Sequence, residues 1–320
     1  MPQPMASTPH RSGTVATQAP AHPAPAGPAP AHPAPVPPDL RQVPRVLSIA
    51  GSDPSGGAGI QADLKSIAAN GGYGMAAITA LTAQNTLGVL GVHVPPADFL
   101  TAQLNALADD IVIDAVKIGM LANAEVIRAV HDWLLRCRPA VVVLDPVMVS
   151  SSGSRLLAAD AEDALRSLLP LADVLTPNLP ELAVLLDLPL ALDWPDAVRQ
   201  GQELAAAAGT RVLVKGGHLA GDQARDALVQ PDGATVEFAA ARVSTRNTHG
   251  TGCSTSAALA TVAARRGDWT EAVGEVKAWL HGALEHADEL QVGSGHGPVN
   301  HFHELWAAAP PRSDGFSGSL

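Results

Sequence analysis

The stretch Gly51-Ser52-Asp53-Pro54-Ser55-Gly56-Gly57-Ala58-Gly59 decides how the chain is read: a β-rich run, Arg45 to Gly51, enters it, and a helical period from Ile60 to Ala69 leaves it. Glycines let the backbone approach a ligand closely, and a helix amino terminus presents unpaired N–H groups. Alone, the loop is also compatible with a tight turn that binds nothing. Gly57-x-Gly59-x-x-Ala62 imitates a dinucleotide fingerprint, but the second strand ends in Gln84, where that fingerprint needs an acidic residue for the ribose. Gly72-x-Gly74-x-x-Ala77 fits the same pattern and precedes a strand, so the pattern discriminates little. No Gly-Lys-Ser/Thr closes the loop, which excludes a Walker A phosphate loop.

Beyond this unit, short β-rich runs alternate with longer helical ones, the order of a parallel sheet wrapped by helices. The pattern predicts further strands over Met75 to Thr82, Ala115 to Ile118, Val141 to Asp145, Val174 to Thr176 and Arg211 to Lys215. Helices are expected near Asp98 to Asp109, Ala124 to Cys137, Ala161 to Leu169, Leu179 to Leu186 and Pro195 to Ala207. Pro231-Asp232-Gly233 joins two short runs, Ala227 to Gln230 and Thr235 to Phe238, as an antiparallel hairpin. Two long helical segments close the chain, Ser254 to Arg265 and Thr270 to Leu290. No internal repeat is present.

Twelve of the 27 prolines precede residue 39, interleaved with alanine, and Arg11 is the one formal charge before Asp39. Such a segment lacks the apolar periodicity to offset its ordering entropy, so residues 1–43 are expected to be disordered. Residues 44–306 are expected to form one α/β domain, with 307–320 a flexible tail. Prolines interrupt every candidate signal sequence, and no apolar run approaches the ~20 residues of a membrane span, which points to the cytoplasm. Cys137 and Cys253 form no paired framework, in keeping with a reducing compartment. A net charge of −11 argues against nucleic-acid or anionic-membrane partners, so any phosphate must be held locally by amides, a metal or single basic residues.

In open α/β sheets, ligands bind beyond the carboxyl ends of the strands. Thr248-His249-Gly250-Thr251-Gly252-Cys253 opens a helix, and its converging amides suit negative charge growing on a transferring phosphoryl group. The same field is expected to lower the Cys253 thiol pKa, against the alternative of a buried structural cysteine. Asn178-Leu179-Pro180-Glu181 reads as a helix cap, with Glu181 either completing it or reaching magnesium. Lys215, followed by Gly216 and Gly217, is placed to meet nucleotide phosphates, and Asp145 ends an apolar strand where its charge needs a cation or a donor. Gln84 and Asn85 offer amide donors and acceptors that match an aminopyrimidine edge, or close a turn. His296, His301 and His303 have neither the sulfur partner nor the spacing of a zinc site.

Taken in order, Ala50-Gly-Ser-Asp-Pro-Ser-Gly-Gly-Ala-Gly-Ile-Gln-Ala-Asp-Leu-Lys65, Thr79-Ala-Leu-Thr-Ala-Gln-Asn-Thr86, Lys117-Ile-Gly-Met-Leu121, Thr176-Pro-Asn-Leu-Pro-Glu181, Lys215-Gly-Gly-His218 and Thr248-His-Gly-Thr-Gly-Cys253 resemble the hydroxymethylpyrimidine/phosphomethylpyrimidine kinase family of thiamine biosynthesis. Gly295-His-Gly-Pro-Val299 and His301-Phe-His303 resemble that family's carboxyl end. The resemblance implies a ribokinase-like three-layer sandwich, usually a homodimer. It also implies two ATP- and Mg2+-dependent phosphorylations at one site, first of an aminopyrimidine alcohol and then of its monophosphate.

Carried over by motif, Gln84 meets the pyrimidine edge, with Gly51, Asp63, Met120 and Val147 near the ring. Lys215, Gly217 and Thr248 meet the nucleotide, Glu181 and Asp145 lie near magnesium, and Gly250, Thr251, Gly252 and Cys253 form the anion hole. Where sugar kinases of the superfamily carry a basic aspartate, Cys253 stands here, as in the pyrimidine branch. Whether it is a base or only shapes the site is left open. A pyridoxal or pyridoxine kinase of the same fold is the nearest alternative.

Overall fold

The strand-end loop sits where the first βα unit places it, at one end of a nine-stranded sheet ordered β3-β2-β1-β4-β5-β6-β7-β8-β9 among the described residues. The computed structural model describes residues 43–149, 153 and 155–308; of the tails expected over 1–43 and 307–320, residues 1–42 and 309–320 lie outside them. The strands are β1 (Arg45–Ser52), β2 (Tyr73–Asn85), β3 (Gly88–His93), β4 (Ala115–Ile118), β5 (Val141–Leu144), β6 (Val174–Leu175), β7 (Arg211–Lys215), β8 (Gln223–Val229) and β9 (Thr235–Ala241). Strands β2, β1, β4, β5, β6 and β7 run parallel, and β3, β8 and β9 add antiparallel edges.

The helices are α1 (Gly59–Ala69), α2 (Ala97–Ala108), α3 (Ala124–Cys137), α4 (Glu162–Arg166), α5 (Leu179–Leu186), α6 (Trp194–Ala208), α7 (Thr251–Arg266), α8 (Trp269–Glu285) and α9 (His303–Ala307). They cover both faces of the sheet because alternate strand residues point to opposite sides. Leu47, Ile49, Val116, Ile118, Val142 and Leu144 pack against α2 to α6, whereas Val46, Ala115, Val143, Val174 and Leu213 pack against α1, α7 and α8. This is the ribokinase-like three-layer arrangement expected.

Helix α7 is buried from Ser254 to Ala263, which its small residues allow. Its hydroxyls are satisfied locally: Thr255 donates to the Thr251 carbonyl at 2.7 Å, Ser256 to Gly252 at 3.0 Å and Thr261 to Ala257 at 2.8 Å. A helix buried on all sides thus delivers its amino terminus to the strand ends.

Several boundaries differ from the sequence pattern. Strand β2 runs to Asn85 and turns through Thr86-Leu87 into β3, a strand not anticipated because Gly88 and Gly91 interrupt its apolar alternation. The helix expected over Ala161 to Leu169 is reduced to α4 between two 3-10 turns, the second of which carries Pro170. The segment expected to reach Leu290 stops at Glu285 and continues as a 3-10 turn over Ala287–Leu290. The hairpin is longer than expected: Gln223 to Asp226 pair with Phe238 to Ala241 through backbone, without an apolar signature. Helix α9 runs one residue past the expected domain boundary at 306. No helix among the described residues is long and apolar enough to cross a membrane.

Candidate active site

Asp53 organises the first glycine loop. Its Oδ1 accepts from the Ser55 amide at 2.9 Å and the Ser55 hydroxyl at 2.7 Å, and its Oδ2 from the Gly57 and Ala58 amides at 3.2 and 2.8 Å. His249 Nε2 lies 2.9 Å from the same Oδ2, which ties this loop to the one that opens α7. Burial opposes the charge on Asp53, but the hydrogen bonds from His249 and Ser55 outweigh it and hold the carboxyl below its usual range. Sequence reading gave Asp53 no role of its own; the Asp-Pro-Ser turn chemistry was the signal that could have found it.

The two loops meet backbone to backbone. Gly250 has φ +77°, and a β-carbon there would overlap the Gly57 carbonyl. As the N-cap of α7, Gly250 brings no side-chain cap. The Thr251 amide donates to the Thr248 carbonyl at 3.2 Å and the Ser254 amide to Gly250 at 2.8 Å, while the Gly252 and Cys253 amides have no protein acceptor among the described contacts. These two amides belong to the motif in which anion-binding donors were expected.

Cys253 departs from expectation. Its thiol is pushed up to about 11, chiefly by burial, with the Asp63 and Asp145 carboxylates adding to the effect and Lys117 opposing it. The helix-start field does not produce a resting thiolate, because the cost of burying a charged sulfur outweighs it and the two carboxylates add to that cost. Both cysteines are free, Cys137 exposed and Cys253 half-buried.

Below Cys253 lies a buried charge cluster. Lys117 Nζ donates to both oxygens of Asp63 at 2.9 and 2.8 Å, and the Ser48 hydroxyl donates to Asp63 Oδ2 at 2.6 Å. Neither side chain has exposed surface. Burial favours neutral forms of both groups, but three short bonds to one carboxylate favour the ion pair. Asp63, expected beside the substrate ring, is therefore beneath the crevice and turned to Lys117.

Asp145 directly follows β5 and accepts from Lys215 Nζ and the Thr176 hydroxyl, both at 3.0 Å, and from Ser256 at 3.4 Å. Burial opposes its charge, yet Lys215 and Lys117 hold the carboxyl below its usual range. A β-carbon on Gly252 would lie 3.3 Å from Lys215 Nζ and 3.6 Å from Asp145 Oδ2, so this ion pair faces the start of α7. Glu181 completes a capping box, its Oε2 accepting from the Asn178 amide at 2.9 Å while Asn178 Oδ1 accepts from the Glu181 amide at 2.9 Å. Burial pushes Glu181 up to about 7, with Lys215 opposing and Asp145 reinforcing the shift.

An apolar wall completes the crevice. Met120 packs with Ala80, Ala122 and Val147, and its Sδ lies 3.0 Å from where a β-carbon on Gly51 would stand. Gln84 also comes from β2: its amide reaches His249 Nε2 and the Thr82 hydroxyl, each at 3.2 Å. Gly51, Met120, Val147, Gln84, Gly250 to Cys253, Lys215, Asp145 and Glu181 thus gather at one end of the sheet.

Thr248 and Gly217 lie farther out. Thr248 lines a cavity of about 850 Å³ between Arg242–Asn247 and Asp288–Gly293, and Arg242 donates to the Gly217 carbonyl at 2.9 Å from the rim of that cavity. Of this lining, sequence reading singled out Thr248 alone; Arg242 and Asn247 belong to an irregular segment without a motif.

A strap, residues 293–301, links the β2–β3 turn to the start of α7. The Gly295 and His296 amides donate to Thr86 at 3.2 and 3.0 Å, and the His249 amide donates to the Gly297 carbonyl at 3.0 Å. His301 Nε2 lies 2.9 Å from the Ser254 hydroxyl, and burial pushes this imidazole down to about 3. In the unfolded chain the group binds a proton near pH 6.5, so folding stability is complete above that pH and is lost as pH falls toward the folded value. His301→Gln is expected to flatten the loss of stability between pH 6.5 and 4.5 by up to about 1.4 kcal/mol per pH unit, read from denaturant midpoints. Parallel pH profiles for the two proteins would exclude His301 as the source.

The sequence profile of a family described as phosphomethylpyrimidine kinase matches residues 53–300. A thiamine biosynthesis multifunctional protein of Corynebacterium efficiens is 56% identical over 81% of the chain, which spans only 35% of that relative's length. The hydroxymethylpyrimidine/phosphomethylpyrimidine kinase of Salmonella typhimurium is 51% identical over 81% of the chain and 98% of its own. Among solved structures, an ADP complex of Bacillus subtilis pyridoxal kinase superposes with a TM-score of 0.74 at 31% identity, covering 82% of this chain and 99% of that one. The profile, the 51% identical relative aligned over 98% of its length and the shared fold place the chain in the phosphomethylpyrimidine kinase family.

Proposed function

We propose that the chain transfers the γ-phosphoryl group of ATP to the hydroxymethyl group of 4-amino-5-hydroxymethyl-2-methylpyrimidine, and then a second one to the monophosphate. The supporting observation is the meeting of Gln84 with the start of α7: its amide lies 3.2 Å from His249, four residues before Cys253. Gln84 pairs with the aminopyrimidine edge, and Gly51, Met120 and Val147 pack the ring. The Gly252 and Cys253 amides stabilise charge on the transferring phosphoryl, Lys215 neutralises the nucleotide phosphates, and the cavity at Thr248 takes the nucleoside. The ADP complex of the Bacillus relative supports ATP as co-substrate.

Magnesium fits the donor set. It is bound through one or two carboxylates plus phosphate oxygens, and the described residues hold no closed cluster of three His, Cys, Asp or Glu. Asp145 and Glu181 would supply the protein ligands, and a cation would relieve the burial that raises Glu181. When bound, the ion neutralises charge on the phosphates. A cytoplasmic homodimer is the expected form.

Cys253, protonated at neutral pH, acts by position. Cys253→Ala is expected to lower kcat about 10- to 100-fold with pyrimidine KM nearly kept, since small misplacements of reacting groups carry costs of that order. Wild-type turnover in the variant would remove Cys253 from the chemistry. Gln84→Ala tests the substrate assignment: pyrimidine KM should rise about 10- to 100-fold, the worth of one or two hydrogen bonds to a buried ligand, with ATP KM within about twofold. Equal losses for both substrates, or faster turnover of pyridoxal, would favour the pyridoxal kinase reading.

A further inference from the structure

The Gln84 side chain sits in a hydrogen-bond network whose donors and acceptors fix its sense. His249 Nε2 faces Asp53 Oδ2 at 2.9 Å and the Gln84 amide nitrogen at 3.2 Å. Asp53 already accepts from the Ser55, Gly57 and Ala58 amides and the Ser55 hydroxyl, so it is an ionised acceptor. His249 must therefore carry its proton on Nε2 and donate it, which leaves Nε2 with nothing to accept from an amide N–H.

At the other end, the Thr82 hydroxyl donates to the Ser52 carbonyl at 2.9 Å, so toward Gln84, at 3.2 Å, it has lone pairs to offer. Both ends demand the same arrangement. Oε1 must face the His249 N–H, as the longer arm of a three-centre bond whose shorter arm goes to Asp53, and Nε2 the Thr82 oxygen, the half-turn about Cγ–Cδ that carboxamides permit. Each end of the amide then keeps one unused valence, a lone pair on Oε1 and an N–H on Nε2, in a fixed order.

We propose that His249 and Thr82 are specificity-determining positioning residues: by fixing the Gln84 amide with Oε1 on the His249 side, they select a heterocycle whose amino donor and ring-nitrogen acceptor lie in that order. The inference rests on Gln84 facing the substrate. A 4-oxo analogue, whose carbonyl and ring N–H reverse the order, would leave both valences of the amide opposed. A site built to hydrogen-bond one pattern rejects its reverse strongly, because buried polar groups are then left unpaired.

The test is the ratio of kcat/KM for the 4-amino alcohol over its 4-oxo analogue, with ATP KM recorded throughout. Wild type should favour the amino compound by at least about 100-fold. His249→Leu removes the donor and Thr82→Val the acceptor; each should cut the ratio at least about tenfold, with ATP KM within about threefold, because the freed amide can turn to suit either ligand. His249→Gln, which keeps a donor near Nε2, should restore most of the ratio. In a Gln84→Ala background neither change should move it.

An unchanged ratio in folded His249→Leu and Thr82→Val overturns the proposal while leaving the kinase reading intact. Should His249→Leu lack a cooperative melt, Thr82→Val decides, because it swaps a half-buried hydroxyl for a methyl of similar size. If Gln84→Ala itself leaves pyrimidine KM unchanged, the substrate assignment fails first.

Discussion

Gly250→Ala is expected to lower kcat by about 100- to 1,000-fold while the protein still folds, the range seen when a donor to a developing anion is lost. The position has φ +77°, a left-handed conformation that costs an L-residue roughly 1–2 kcal/mol. The larger effect is steric. A methyl there overlaps the Gly57 carbonyl, and neither side can yield without moving a loop. If the second loop moves, the Gly252 and Cys253 amides shift away from the phosphoryl position; if the first moves, the Asp53–His249 tie loosens. Turnover should collapse with a modest fall in Tm, and turnover within threefold of wild type would mean that this loop contact does not set the anion site.

Lys215→Ala should have the second large effect, on nucleotide use and stability together. Lys215 pairs with Asp145 at 3.0 Å, and the Asp145 side chain is only 3% exposed. Removing the ammonium strands a buried carboxylate, a change that costs about 3–5 kcal/mol in comparable pairs. Thr176, Ser256 and Lys117 soften the loss here. In turnover, kcat/KM for ATP should fall at least about 100-fold, since on the proposed function Lys215 supplies the charge that meets the phosphates. Lys215→Met combined with Asp145→Asn should recover stability without activity, because the buried charge is removed with its partner. Full activity in Lys215→Ala would reassign the nucleotide phosphates to other groups.

The central sheet was legible because its signals are local and redundant. Apolar runs such as Val141 to Leu144 are covered on both faces, so they read as continuous strands, and Asn178 and Glu181 carry their cap in four consecutive residues. Strand β3 was not legible, since its pairing to β2 rests on a two-residue turn and backbone hydrogen bonds while its side chains are largely exposed. The hairpin's outer half was missed for the same reason.

The candidate site divides along similar lines. Glycine loops and strand-end residues were visible as motifs, and the structure gathers Gln84, Lys215, Asp145 and the start of α7 in one crevice. Electrostatics was not visible. That Asp63 is sealed against Lys117, and that Cys253 is pushed up to about 11, depend on groups 54 or more residues apart that share a buried space. The Asp53–His249–Gln84 chain likewise joins residues 196 and 165 positions apart, which no spacing rule connects.

The most direct measurement is coupled ADP release from Mg-ATP with 4-amino-5-hydroxymethyl-2-methylpyrimidine as acceptor, run beside pyridoxal under the same conditions. The expected result is two ADP formed per pyrimidine consumed, at a higher kcat/KM than with pyridoxal. No ADP above the ATP-only background, or pyridoxal as the better acceptor, would contradict a crevice in which Gln84 presents an aminopyrimidine to the amides of Gly252 and Cys253.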